Sequence, residues 1–342
     1  MISIRAATPG DIAAVNRIYN QPSVRRFTFA LPYESRAASA RFFAAERELR
    51  TSLLACAADG TVLGEASLTR EANPRRSYAA MLGLMVDEEA RRRGTGRALL
   101  TALLDLADNW LNLQKLELEV FANNHPAIAL YRSLGFEVEA TMRHHAMQDG
   151  VLTDCLAMAR LRPGLPADRS TAPLPPPQAP RQPFILRAME PEDLPGLTTL
   201  MSLPGVCHGA AATPFMAEAA LNELTDPASR ARAIVAVSGG TLSGLSVLLP
   251  GQGRALHTAT LQSMMVHDAW QGQGIGRALL TAMLDIADNW LGLSRIGLAV
   301  LADNPPAIRL YESLGFEREG RLRADIFRQG GYADSLAMAR LR

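Results

Sequence analysis

The sequence predicts an α/β (α+β) protein of two tandem domains, each a mixed, mostly antiparallel twisted sheet flanked by helices. Three observations lead to this prediction: the chain length, an internal repeat, and the order of strand and helix patterns within each copy. At about 100 to 200 residues per domain, the 342 residues favour two domains of ordinary size. Hydrophobic residues make up 48% of the chain and charged residues 20%, which is typical of packed globular domains.

The internal repeat covers most of the chain. Residues 96–162 align with 276–342 at a constant offset of 180, and 40 of the 67 positions are identical. Upstream the copies align more loosely, at an offset of 182. Self-similarity of this extent indicates a tandem duplication. We therefore predict one domain over 1–162, a second over 184–342, and a linker over 163–183. The linker contains eight prolines, which predicts an extended polyproline-type spacer of about 3.1 Å per residue.

Hydrophobic periodicity and turn residues predict the secondary structure of the first copy, and the second copy repeats the order. The strands that precede the glycine-rich segment form an antiparallel meander. The predicted elements are a strand at 2–7, a helix from Pro9, a helix at 36–49, strands at 52–58, 61–69 and 77–87, a helix at 94–111, a strand from Leu116, a short helix at 126–134, and two strands around the Asp149-Gly150 turn.

Composition excludes several classes of function. A net charge of +1 gives no electrostatic footprint for nucleic acid or anionic lipid, so neither is expected as a partner. The cysteines Cys56, Cys155 and Cys207 lie too far apart in sequence for a zinc motif or a disulfide framework, and no metal is predicted. The N-terminus does not follow the signal-peptide pattern and no apolar run approaches a membrane span, so we expect a cytoplasmic protein.

Each junction between the meander and the long helix has the pattern Arg/Gln-x-x-Gly-x-Gly. Glycines allow a sharp turn and close approach to a ligand, while a helix N-terminus favours a phosphate group. An ordinary helix start is the alternative, but two copies in the same context favour a pyrophosphate cradle. No Gly-Lys-Ser/Thr follows, which excludes a nucleotide P-loop. The cradle residues are Arg91, Arg92, Arg93, Gly94, Thr95 and Gly96 in the first copy, and Gln271, Gly272, Gln273, Gly274, Ile275 and Gly276 in the second.

A second shared segment follows about 28 residues later. It reads Asn-x-x-Ala-x-x-x-Tyr-x-x-Leu-Gly-Phe and begins at Asn124 and Asn304. Together with the cradles, this segment resembles the GNAT superfamily of N-acetyltransferases, and the resemblance covers both copies. Within the superfamily, the first copy is similar to bacterial N-acetyltransferases of free L-amino acids. The similarity is carried by Asn20-Gln21-Pro22, Pro74-Arg75-Arg76-Ser77, Asp108-Asn109-Trp110-Leu111 and Val120-Phe121.

The resemblance implies acetyl-CoA (coenzyme A) as the acetyl donor. Its pyrophosphate would bind the two cradles, and its pantetheine arm would lie along the strands that end at Met85-Val86 and Met265-Val266. Asn124 and Asn304 would bond to its polar groups.

The resemblance also places Tyr131 and Tyr311 where the family has the acid that protonates the leaving thiolate. A tyrosine that only anchors its helix on the sheet is the alternative.

The proton acceptor is less clearly marked. The amino-acid acetyltransferases carry an acidic residue on the strand before the cradle, where this sequence has Met81 and Leu261. Glu119 occupies a position where some other GNAT enzymes have a catalytic glutamate, and its counterpart in the second copy is Ala299. A solvent-facing glutamate, with water as the base, is the alternative.

The segment 24–29 is where the family forms its acceptor pocket. Arg25 and Arg26 lie there beside two phenylalanines, so the guanidinium groups would bind an amino-acid carboxylate. A solvated basic loop is the alternative, and the second copy has Cys207 and His208 at these positions. The other histidines are expected on the surface.

The predicted function is transfer of an acetyl group from acetyl-CoA to the primary amine of a small molecule, with a free amino acid favoured. The amine would attack the thioester directly. One alternative is acetylation of a protein N-terminus or an antibiotic amine. Another is a catalytic half paired with a non-catalytic half that binds coenzyme A and regulates its partner. The sequence leaves a homo-oligomer open.

Overall fold

In the computed structural model, the chain forms two compact units, Met1–Leu165 and Pro166–Arg342. Residues 169–181, most of the predicted linker, lie outside the described residues, so the extended spacer and the predicted domain limits stay predictions. The structure describes residues 2–45, 49–168, 182–213, 216–226 and 228–342.

The first unit contains a seven-stranded sheet with the order β1-β2-β3-β4-β5-β7-β6. Neighbouring strands are antiparallel except β4 and β5, which are parallel. The predicted fold class is therefore confirmed. The strands are β1 (Ser3–Ala6), β2 (Arg50–Cys56), β3 (Val62–Arg70), β4 (Ala79–Val86), β5 (Lys115–Phe121), β6 (Glu137–Gln148) and β7 (Val151–Leu161).

Helices cover both faces of this sheet. Leu53 and Leu54 are consecutive on β2, so their side chains point to opposite faces. Leu53 packs in the cluster that includes Leu99 of α4, whereas Leu54 packs with Ile18 of α1. The helices are α1 (Ile12–Tyr19), α2 (Pro22–Arg25), α3 (Arg36–Ala45), α4 (Thr95–Asp105) and α5 (His125–Arg132).

The long helix after the cradle differs from the prediction. The α-helix ends at Asp105, and Leu106–Trp110 forms a π-helical turn that the Leu111 N–H closes on the Leu106 carbonyl at 2.9 Å. Asp108 in this turn accepts two bonds from the Arg160 guanidinium, at 2.9 and 2.7 Å. The chain is therefore helical over nearly all of the predicted 94–111, but its last turn is a widened π-turn that is anchored to β7 through Arg160.

Helix α2 was not predicted from the sequence. It begins at Pro22, whose fixed backbone angle suits the first position of a helix. The proline marks the start, but four residues are too few for a periodic pattern.

The second unit repeats this architecture with the strand order β8-β9-β10-β11-β12-β14-β13 and a parallel β11–β12 pair. Within the described residues, no helix is long and apolar enough to cross a membrane. The strands are β8 (Phe184–Ala188), β9 (Arg232–Ser238), β10 (Thr241–Pro250), β11 (Thr258–Val266), β12 (Arg295–Leu301), β13 (Glu317–Arg328) and β14 (Gly331–Leu341). The helices are α6 (Leu194–Met201), α7 (Pro204–Gly209), α8 (Ile275–Asp285) and α9 (Pro305–Glu312).

Close packing of α4 on β3 gives a stability prediction. A Cβ atom on Gly64 would lie 2.8 Å from the Met85 carbonyl oxygen and 3.2 Å from Leu99 Cδ1. Gly64→Ala should therefore destabilise the first unit by about 1–3 kcal/mol through overpacking, and calorimetric melting should show a lower midpoint. Gly10→Ala is the control, because its Cβ would meet only Thr8 Oγ1 at 3.6 Å. Equal midpoints for the two variants would contradict the packing argument.

Candidate functional site

The parallel strands β4 and β5 separate after a short paired stretch. Their described pairing covers Ala79–Met81 against Lys115–Glu117. Beyond it, β4 stays paired with β3 and β5 stays paired with β7. The facing edges of β4 and β5 are therefore splayed, and such an edge can bond to the amides of an extended ligand.

A cavity of about 1190 Å³ in the first unit runs along this gap. Its lining includes residues of the cradle and of the segment after α2. Several predicted site residues line it together: Met85, Val86, Arg91, Arg92, Gly94, Thr95, Gly96, Glu119, Asn124 and Tyr131. Arg93 instead lines a smaller neighbouring cavity with Arg17 and Asp87.

The cradle has a distinctive backbone. Gly94, immediately before α4, has φ +83°, and Arg92 has φ +58°. A left-handed conformation costs a non-glycine residue about 1–3 kcal/mol and is concentrated at functional sites. The second unit has Gly272 at φ +75° and Gly274 at φ +90°. The turn thus keeps its shape in both units although the side chains differ.

The glycines of the cradle serve two purposes. A Cβ on Gly94 would meet no atom within 4 Å, so this glycine faces open space at the helix start. A Cβ on Gly96 would lie 3.2 Å from Leu130 Cδ2, so Gly96 permits close packing of α4 and α5. The first N–H groups of α4 have no intrahelical acceptor and carry the positive end of the helix dipole. The cradle therefore fits a pyrophosphate.

Tyr131 and Tyr311 occupy equivalent buried positions. Each is 6% exposed, and Tyr131 lines the cavity while its ring packs at 5.9 Å from the Phe136 ring. Burial raises the pKa of both phenols well above their usual range. Both hydroxyls therefore keep their protons at neutral pH, as a proton donor requires.

The two asparagines lie at the start of equivalent helices. Asn124 precedes α5 and lines the cavity. Asn304 precedes α9, and its side-chain oxygen accepts a bond from the Ala307 N–H at 3.3 Å.

Glu119 lies beside a histidine that the sequence analysis had assigned to the surface. Its Oε2 atom is 3.4 Å from Nε2 of His145. His145 is brought there by a bulge in β6, where His144 has φ +52° and its N–H bonds to the Asp154 carboxylate at 2.8 Å. The ring of His145 also lies edge-on against Phe29 at 5.7 Å. A bulge of this kind leaves no periodic signal in the sequence.

The loop after α2 contributes its aromatic residues to the cavity but not its arginines. Phe27 and Phe29 are among the lining residues, whereas Arg25 and Arg26 are not. The Arg25 guanidinium lies 5.3 Å from the Tyr33 ring centroid. Arg26 is exposed and its Nε is 3.1 Å from the Asp149 carboxylate. Their role in carboxylate binding stays a prediction, which the described cavity lining does not support.

Arg50, Glu65 and Ser67 form a polar group that the sequence analysis missed. Arg50 Nη2 lies 3.2 Å from Glu65 Oε1 and 2.8 Å from Ser67 Oγ, and all three residues line the cavity. Glu65 is 4% exposed; burial raises its pKa, and the charge of Arg50 opposes this shift. The group is assembled across a hairpin, so no local pattern marks it.

In the second unit, hydrocarbon replaces these polar groups. Ala55 pairs with Gly64 in one unit and Ala236 with Gly244 in the other, which fixes the equivalent positions. Arg50, Glu65 and Ser67 then correspond to Ala231, Leu245 and Val247, and Tyr19 corresponds to Met201. Met201, Leu245 and Val247 belong to one buried apolar cluster. This difference between the copies was the signal in the sequence that could have revealed the polar group.

A mostly antiparallel sheet with a splayed parallel pair, a phosphate cradle and a buried tyrosine define a coenzyme-dependent acyltransferase. The model of the acetyltransferase (GNAT) family matches residues 13–136 and 198–316. The chain belongs to this family, and it is an acetyl-CoA-dependent N-acyltransferase, as the sequence predicted.

Individual relatives match about half of the chain or less. The L-amino acid N-acetyltransferase AaaT of Escherichia coli K12 is 36% identical over 161 residues, which are 47% of this chain and 98% of that protein. The ribosomal protein bS18-alanine N-acetyltransferase of the same organism is 46% identical over 85 residues, 25% of this chain and 56% of that protein. A solved phosphinothricin acetyltransferase from Sinorhizobium meliloti, in complex with AcCoA, is 24% identical with a TM-score of 0.44, covering 47% of this chain and 88% of its own.

The cradle gives a binding prediction for each unit. Gly94→Asp should weaken coenzyme A binding in the first unit at least about 10²-fold, because the carboxylate would repel the pyrophosphate. Gly274→Asp should do the same in the second unit. Titration calorimetry should therefore show two sites per chain in the parent protein and one in either variant.

Gly60→Asp is the matched control for backbone strain. Gly60 has φ +86° and its Cβ would also meet no atom within 4 Å, but it does not line the cavity. If Gly60→Asp reduced binding as strongly as Gly94→Asp, strain rather than charge would explain the loss.

Proposed function

We propose that the first unit transfers the acetyl group of acetyl-CoA to the primary amine of a small molecule, with a free amino acid as the acceptor. One observation carries the proposal: a single cavity joins the phosphate cradle, the splayed strand edge, Tyr131 and Glu119. Arg50, Glu65 and Ser67, here called the polar floor, line the same cavity. The similarity to an L-amino acid N-acetyltransferase over nearly its whole length supports the acceptor class.

Different residues of the cavity bind the cofactor, accept a proton and donate a proton. When bound, acetyl-CoA supplies a thioester that an uncharged amine can attack. The first N–H groups of α4, with Arg91 and Arg92, hold the pyrophosphate, and the edge of β4 bonds to the pantetheine amides. Glu119 takes the proton from the amine nitrogen, directly or through one water molecule. The Tyr131 hydroxyl donates its proton to the departing sulfur atom.

The surroundings of Tyr131 and Glu119 support these opposite roles. The Tyr131 phenol carries its proton at neutral pH and lines the cavity, so its hydroxyl can donate to a sulfur atom bound there. Glu119 instead faces the cavity beside His145, whose imidazole lies within reach of its carboxylate. An acid and a base placed along one cavity meet the requirements of direct transfer.

For the second unit we propose a different role: binding of acetyl-CoA without transfer to a polar acceptor. Its cradle and Tyr311 repeat those of the first unit. The base position is Ala299, and Leu245 and Val247 fill the polar floor with buried hydrocarbon. An unpaired polar or charged group placed there would lose its hydration without compensation. This unit would therefore support or regulate the first.

Matched tyrosine variants test this division of labour. Tyr131→Phe should lower turnover by about 10²-fold, because the phenyl ring keeps the packing but cannot donate a proton. Tyr311→Phe should leave turnover within about twofold of the parent protein. Steady-state rates with the preferred acceptor provide the measurement.

Cofactor affinity is the control in this experiment, since neither variant should change the dissociation constant of acetyl-CoA. Near-normal turnover in Tyr131→Phe would assign the acid role to water or another group. Equal losses in the two variants would show that both units transfer acetyl groups.

An acceptor panel tests the substrate class. The full chain should acetylate free L-amino acids with a higher kcat/KM than spermidine or a peptide with a free N-terminus, because the first unit is similar to an L-amino acid N-acetyltransferase over nearly that protein's whole length. Mass spectrometry should find one added acetyl group on the amino-acid nitrogen. Higher kcat/KM for the polyamine or the peptide would reject the amino-acid proposal while leaving the transfer chemistry in place.

A further inference from the structure

A buried ion pair on the cavity floor is not used in the chemistry above. We propose that Arg50, held in place by Glu65, binds the carboxylate of an α-amino-acid acceptor. This inference rests on the proposed function of the first unit and names the group that selects its substrate.

The position of Arg50 distinguishes it from the other arginines. Among the residues that the structure describes, four arginines line the cavity, and Arg91, Arg92 and Arg97 belong to the cradle and the first turn of α4. Arg50 lies on β2, outside the cradle. Its guanidinium group is therefore the one in this lining that belongs neither to the cradle nor to α4. A guanidinium group binds a carboxylate through charge-assisted hydrogen bonds.

Neighbouring side chains fix the orientation of Arg50. Its Nε donates to Ser52 Oγ at 3.1 Å, and its Nη2 donates to Glu65 and to Ser67 Oγ. A binding group held by such surrounding contacts needs little reorganisation when its ligand arrives. Glu65 is thus a positioning residue.

The floor lies next to the gap between β4 and β5. Ser67 pairs with Gly83 of β4, and a Cβ on Gly83 would lie 3.1 Å from Ser67 Oγ. Gly83 lies just past Met81, the last residue of β4 that pairs with β5, where the strand edge opens. An α-amino acid carries its amine one carbon from its carboxylate. An acceptor anchored at Arg50 and Ser67 therefore keeps its amine beside β4, where the thioester end of the pantetheine arm would lie.

The second unit shows that the sheet does not need this ion pair. Ala231 and Leu245 replace its two members, and the same antiparallel strands form. Replacing a buried ion pair by packed hydrocarbon is often neutral or stabilising. The pair in the first unit is therefore better explained by binding than by folding.

The decisive variant copies the second unit into the first. Arg50→Ala combined with Glu65→Leu removes both charges at once, which avoids an unpaired buried charge. The parent protein should prefer an L-amino acid over its amide by about 10- to 100-fold in kcat/KM, as expected for a charge-assisted hydrogen bond. The double variant should lose this preference through a higher KM for the acid. Its kcat for the amide and its affinity for acetyl-CoA should change by less than about threefold.

Three further variants complete the experiment. Arg50→Lys keeps the charge but not the fork and should retain part of the preference, which also provides an answer if the double variant fails to fold. Glu65→Gln should raise KM for the acid more than it lowers kcat. Arg232→Ala, which removes an exposed arginine from β9, should change neither parameter.

The outcomes separate the two levels of the proposal. If no amine in the panel is acetylated, the proposed function fails. If amines are acetylated but Arg50→Lys and the double variant keep the full preference for the acid, Arg50 does not bind the carboxylate. A preference lost in Arg25→Ala or Arg26→Ala instead would return that role to the loop after α2. An equal rate on acid and amide in the parent protein would also overturn the inference.

Discussion

The site of the first unit depends on the short parallel pairing of β4 with β5. Three residues on each strand pair, and then each strand keeps only its other neighbour. At the start of β5, the fully buried Lys115 lies 3.0 Å from Glu117 and 3.2 Å from Glu139. Charges buried this deeply require partners, so the base of the gap is held firmly. The gap between β4 and β5, the position of the cradle beyond it and the predicted acceptor end of the cavity all depend on the separation of these two strands.

The two units are alike where a site depends on the backbone and differ where a site depends on side chains. A phosphate cradle needs a turn of defined shape and free N–H groups, and both units have it whether residue 91 or 271 is arginine or glutamine. An acceptor site needs particular side chains, and the polar floor around Glu65 becomes Leu245 and its neighbours in the second unit. The two copies therefore share the backbone of the cradle and differ in the side chains around Glu65 and Leu245.

The sequence predicts the structure correctly where a local pattern of a few residues decides it. The glycines at 94 and 274, the periodic leucines of α4 and the turn at Asp149 specify their conformations within a few residues, and the fold class followed from them. It does not predict contacts between residues that are far apart in the chain. The Arg50–Glu65 pair forms across a hairpin, and the contact between Glu119 and His145 depends on a bulge in β6. Arg25 and Arg26 lie in the segment where the resemblance places the acceptor pocket, but neither is among the described residues that line the cavity.

In both units, a side chain at the end of a strand bonds to a backbone carbonyl at the end of a short helix, but the two bonds differ in chemistry. In the first unit, Gln148 at the end of β6 donates to the Arg26 carbonyl at 2.8 Å, a neutral bond at the edge of the acceptor loop. In the second, Arg328 donates to the His208 carbonyl at 3.0 Å and also pairs with Asp303 and Asp168.

Removing a carboxylate partner of the buried Arg328 side chain would therefore be costly. A Cβ on Gly209, the last residue of α7, would lie 3.4 Å from Asn304 Nδ2. The apolar floor is the clearer difference between the units, because Leu245 and Val247 offer no polar side chain where the first unit has Glu65 and Ser67.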